Sequence, residues 1–74
     1  MVPPETVCSK KADLLSALRS TVAAIIELNN RQVAAAMAGE MAVLQVIDSD
    51  LRREQRQKSN LLYALMKHVR EHHC

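Results

Sequence analysis

The stretch Ala34-Ala35-Ala36-Met37-Ala38-Gly39-Glu40-Met41 decides the fold. Gly39 is the single glycine of the 74-residue chain, and no proline follows Pro4. A helix that reaches Gly39 can end there, because glycine alone takes the left-handed backbone of a helix C-cap without a Cβ penalty. Glu40 then suits the positive end of a second helix. Working outward, the first helix is expected over residues 10–37, the turn over 38–40 and the second helix over 40–72, as one domain covering 1–74. Ser9 is a capping candidate with Asp13 in the first turn, and Thr6 is a second candidate. Pro3 and Pro4 suit a first helical turn or an extended lead-in.

Apolar spacing supports two helices. Leu15, Leu18, Val22, Ile25, Val33 and Ala36 fall on one helical stripe, widened by Leu14 and Ile26 and interrupted by Asn29. Leu44, Ile47, Leu51, Leu62, Leu65 and Val69 form a second, with Met41 and Met66 beside it. The gap from Leu51 to Leu62 is three whole turns, so the face survives it. Arg52 to Asn60 is nevertheless polar all round, and Gln55 and Lys58 are expected at core-facing positions.

Folding at Gly39 gives an all-α antiparallel hairpin of coiled-coil type. Asn29 then lies opposite Ser49, and Ser20 and Thr21 opposite Lys58 and Gln57. Val22 and Ile25 are left facing the polar stretch. The alternative is a three-helix bundle, broken at Asn29-Asn30 and at Asp48-Ser49-Asp50, all good capping residues. Two helices touching along one stripe bury little surface, so the hairpin is expected to dimerise into a four-helix bundle. Leu14, Ile26, Leu28, Val43, Val46 and Leu61 are the apolar residues that such association would cover.

Composition narrows the function. Ala, Leu, Met, Glu, Gln, Lys and Arg dominate, with one Tyr and no Phe or Trp, as helix propensity requires. A net charge of +2 is far from the basic footprint of a nucleic-acid binder. Arg52, Arg53, Arg56 and Lys58 read as a solvated face, so nucleic acid is not the expected partner. No apolar run approaches the roughly 20 residues that cross a bilayer. Met1 to Ser9 does not read as a secretory signal, and the expectation is a cytoplasmic protein with two thiols. No serine has a histidine near it in the hairpin except Ser9, and no glycine loop awaits a phosphate, so an enzyme is not expected. Met37, Met41 and Met66 are assigned to packing near the turn or to an adaptable groove, and Tyr63 to a half-buried packing position.

Groups able to do chemistry collect at the open end. His68 and His72 stand one helical turn apart, the spacing at which two imidazoles share a metal. A first helix of about 42 Å and a second of about 50 Å leave a shortfall of ~8 Å. An extended stretch at residues 8 and 9 covers it and brings Cys8 beside Cys74. Three readings compete at this corner. The histidines can serve as donors and cations at a helix C-terminus. Cys8 and Cys74 can form a disulfide that closes the whole chain. Finally, Cys8, His68, His72 and Cys74 can hold a structural zinc with no open position. The Cys-x-x-Cys half of a common zinc pattern is missing.

Cys8, Lys11, Leu14 and Leu15 at the front, with Leu65, His68, His72 and Cys74 at the back, resemble a group of small, uncharacterised bacterial helical-hairpin proteins. The resemblance implies the hairpin fold and carries no activity. It covers the two ends. That group has Gly before its last Cys and Glu-Ala-Arg segments in helix two, where this chain has His73 and the Arg52 to Asn60 stretch. Two functional expectations follow from the residues: a helical interaction or scaffold protein that associates with itself or a partner helix, and a metal- or redox-responsive hairpin using the terminal thiols and imidazoles.

Overall fold

In a computed structural model the chain is two antiparallel helices, α1 (Pro4–Ala38) and α2 (Met41–His72), forming a rod of 57 × 14 × 13 Å. The structure describes the backbone of residues 4–72 and the side chains of residues 9–72. The three-helix alternative is excluded, since both helices run unbroken through Asn29-Asn30 and Asp48-Ser49-Asp50. Asp48 and Asp50 bond to Arg52 and Arg53 at 3.1 and 3.2 Å, so their carboxylates serve the helix surface and do not cap a helix end.

Gly39 ends α1 as expected. Its φ is +71°, its N–H donates to the Ala36 carbonyl at 3.1 Å, and the Glu40 N–H donates to the Ala35 carbonyl at 3.0 Å. That pair of bonds is a Schellman cap, which satisfies two of the carbonyls that a helix end leaves open. Glu40 belongs to neither helix; its carbonyl accepts the first intrahelical bond of α2 from the Leu44 N–H at 3.0 Å. Helix α1 begins earlier than expected. Ser9 and Thr6 lie inside it, because Pro4 fits a first turn and nothing downstream breaks the helix.

The buried and half-buried side chains of α1 recur at Lys11, Leu14, Leu18, Thr21, Ile25, Leu28, Gln32 and Ala35, with Ala24 half-buried beside Ile25. Those of α2 recur at Leu44, Ile47, Leu51, Glu54, Lys58, Leu61, Leu65 and His68, with Asp50 and Ala64 half-buried beside Leu51 and Leu65. Both series alternate steps of three and four residues, the seven-residue repeat of a coiled-coil seam. The turn at Gly39 sets the two series level: Ala35 with Leu44, Gln32 with Ile47, Leu28 with Leu51, and Ile25 with Glu54. Thr21 then meets Lys58, Leu18 meets Leu61, Leu14 meets Leu65, and Lys11 meets His68.

The expected stripe of α2 holds at Leu44, Ile47, Leu51 and Leu65 and is displaced by one residue at Leu62 and Val69, whereas on α1 Leu18 and Ile25 hold and Leu15, Val22, Val33 and Ala36 lie one residue outside the seam. Leu15, Val22, Val33, Leu62, Val69 and Met66 are exposed, as are Met37 and Met41, so the methionines do not pack a core near the turn. Tyr63 is exposed as well. Lys58 lies half-buried as expected, whereas Gln55 is exposed and Glu54 takes the seam position. Leu14, Leu28 and Leu61 belong to the seam and not to an outer face. The core is thin. Ile25, Ala35 and Ile47 are its buried apolar residues, and Thr21 is buried with its hydroxyl donating to the Ala17 carbonyl at 3.0 Å.

Candidate functional site

At the open end, His68 occupies the last seam position of α2 before the helix runs out, and it is 9% exposed. Its Nε2 is buried and has no hydrogen-bond partner among the described residues. The ring of His72, one turn on, stands 4.8 Å from it, centroid to centroid, tilted by 46°. The two imidazoles are thus brought together as their spacing required. Apolar periodicity does not reveal the burial of His68, because Val69 reads as the inward residue of that turn.

Cys8 lies within α1, so the extended segment expected to carry it toward Cys74 is absent. The hairpin register sets residue 8 level with residue 71. The side chain of Cys8 and the whole of Cys74 lie outside the described residues, and with them the expected disulfide and the four-ligand zinc set. Among the described residues, no three His, Cys, Asp or Glu side chains are grouped to hold a metal. Two shallow hollows, of about 200 Å³ beside Tyr63, Met66 and Arg70 and about 250 Å³ beside Ala35, Val43 and Ile47, are open to solvent and enclose no cleft.

The outer surface has two unlike sides. Antiparallel helices of one hairpin are related by a two-fold axis perpendicular to the plane through both, and such an axis keeps each side on itself. Residues that immediately follow seam residues therefore lie on one side of the hairpin in both helices, and residues that precede them lie on the other. The following side carries Leu15, Val22, Ile26 and Val33 from α1 and Leu62, Met66 and Val69 from α2, all exposed. The preceding side carries two exposed large apolar residues, Val43 and Val46.

Charge is distributed the opposite way. The following side holds three charged residues, Arg19, Asp48 and Arg52, and two of these neutralise each other at 3.1 Å. The preceding side holds seven: Lys10, Asp13, Glu27, Arg31, Asp50, Arg53 and Lys67. Ile26, Val33 and Met66 remain 56%, 60% and 61% exposed. A stripe of exposed large apolar residues of this length, interrupted on α1 only by Arg19 and Asn29, marks a contact surface more often than a surface left in water. Sequence periodicity saw these residues and assigned several to the core, because on α1 the outer stripe runs directly beside the seam.

The cationic stretch does not present four free cations, since Arg52 and Arg53 bond to Asp48 and Asp50 and Lys58 is half-buried in the seam. No described helix is long and apolar enough to cross a membrane. The chain matches no protein-family model, no curated protein and no solved structure at a significant level.

Proposed function

We propose that the protein is a small, non-enzymatic helical association module that works by covering the apolar side of its hairpin with other helices, of its own kind or of a partner. The observation that carries this reading is the segregation of seven exposed large apolar side chains onto the side with three charges. Surface area supports it. The chain exposes 5656 Å², whereas a compact monomer of its mass exposes about 4,600 Å². The excess, about 1,000 Å², exceeds the roughly 800 Å² that each partner buries in an interface of standard size. Sedimentation of the wild-type chain beside an Ile26→Glu/Met66→Glu variant tests the reading. Concentration-dependent association that the double variant loses is the expected result; a wild-type chain that binds neither itself nor any helical protein would sink it.

A second reading is favoured by the orphaned Nε2 of His68 beside the His72 ring. Two imidazoles one turn apart supply half of a tetrahedral zinc set, and the terminal thiols would supply the rest. In that reading zinc binding or thiol oxidation holds the open end closed. Zinc per chain in untagged protein, with a free-thiol count, separates the states. Unchanged stability of a Cys8→Ser/Cys74→Ser variant, with and without zinc or oxidant, rejects the idea.

A further inference from the structure

From the open end to the turn, the apolar side of α1 reads Ala12, Leu15, Arg19, Val22, Ile26, Asn29, Val33, Ala36. Paired from the outside inward, Ala12 matches Ala36, Leu15 matches Val33, Arg19 matches Asn29 and Val22 matches Ile26. The stripe is its own reverse about residue 24. A two-fold axis there, perpendicular to the helix, lays small on small, large apolar on large apolar and polar on polar along the whole stripe. Self-complementarity about a dyad is the requirement for an isologous contact between identical chains.

We propose that a second copy of this chain covers the apolar side, α1 lying antiparallel on the partner copy's α1 across a two-fold axis at residue 24, to make a four-helix bundle. The proposal rests on the association reading and names its occupant and geometry. Val22 packs against the partner's Ile26 and Leu15 against the partner's Val33. The Arg19 guanidinium donates to the side-chain oxygen of the partner's Asn29. The same axis sets Val69 of α2 on the partner's Met41 and brings the two Gln55 side chains together. Leu62 falls opposite the partner's Asp48, the one apolar-on-charged match, where Arg52 already holds the carboxylate at 3.1 Å.

The competing face-to-face arrangement keeps the two hairpins parallel and lays α1 on the partner's α2. The hairpin register then sets Val22 on the partner's Gln55 and Ser59, Ile26 on the partner's Arg52, and Val33 on the partner's Gln45 and Asp48. Leu15 alone among the large apolar residues of the α1 stripe would meet apolar groups, the partner's Leu62 and the partner's Met66, while Val22, Ile26 and Val33 would be covered by polar groups, at the desolvation cost of each. The stripe from Leu15 to Val33 is about 27 Å long, and α2 adds Leu62, Met66 and Val69 beside its Leu15 end.

Four substitutions test the geometry, read by sedimentation equilibrium with circular dichroism to confirm folding. Asn29→Asp places a carboxylate opposite the partner's Arg19 twice per dimer. It tightens dimerisation about fivefold, taking roughly 0.5 kcal/mol for each exposed ion pair, and the gain fades as salt is raised. Ile26→Glu sets a charge beside the axis and weakens dimerisation by about a hundredfold or more. Val46→Glu, on the charged side, changes nothing. In a background of Cys8→Ser and Cys74→Ser, a Val22→Cys chain mixed with an Ile26→Cys chain oxidises to a cross-linked heterodimer joined through the two introduced sulfurs. If Ile26→Glu unfolds the chain, the Asn29→Asp tightening and the cross-link still decide. A dimer that Asn29→Asp weakens, or that yields no such cross-link, overturns the α1 two-fold while leaving association standing. A folded wild-type monomer that also captures no helical protein removes both.

Discussion

Gly39 sits at φ +71°, and a Cβ placed on it would meet nothing within 4 Å. Gly39→Ala therefore isolates backbone strain, and it is expected to destabilise the hairpin by about 1–2 kcal/mol, measured by urea unfolding at fixed chain concentration. His68 poses the opposite case. Its Nε2 is buried without a partner among the described residues, a cost that leucine at the same seam position does not carry. His68→Leu is expected to raise stability by about 1–2 kcal/mol. A loss of stability on that substitution would mean that the imidazole has a partner, and would favour the metal reading. Thr21 and Lys58 share a layer of the seam. Replacing Lys58 by Leu makes that layer more apolar and is expected to stabilise by about 1 kcal/mol, also by urea unfolding.

Among the elements, α2 owes its continuity through a polar stretch to the seam and not to surface ion pairs. The Arg52–Asp48 pair is 78% and 52% exposed, so Asp48→Asn is expected to change the melting midpoint by no more than about 0.5 kcal/mol allows. The turn was legible in the sequence because Gly39 has no rival. The number of helices was legible because no other residue after Pro4 breaks a helix. Which stripe of α1 faces α2 was not. Leu14, Leu18, Ile25 and Leu28 lie inward while Leu15, Val22, Ile26 and Val33 lie one residue further round, so apolarity alone could not rank the two. Thr21, Gln32, Glu54, Lys58 and His68 complete the seam and disguise it, since a polar residue reads as outward. The seven-residue spacing, kept without a slip from Lys11 to Ala35 and from Leu44 to His68, is the signal that identifies the inner stripe. The His68–His72 approach followed from spacing. The position of Cys8 did not, because Pro4 opens a helix where an extended segment was expected.

Taken whole, the molecule is a rod 57 Å long and 14 Å across with three buried apolar side chains among those described. Such a rod has an interior too thin to be its main store of apolar burial, and its apolar side is the complement. Folding and association are then linked, so the melting temperature rises with chain concentration. Substitutions on the apolar side lower stability while equivalent ones on the charged side do not. Sedimentation equilibrium of the full chain under reducing conditions, from about 1 to 100 µM, tests this most directly. Our account predicts a helical species of twice the 8.3 kDa chain mass, dissociating on dilution with loss of helix. A helical monomer of 8.3 kDa, equally stable across that range, would contradict it.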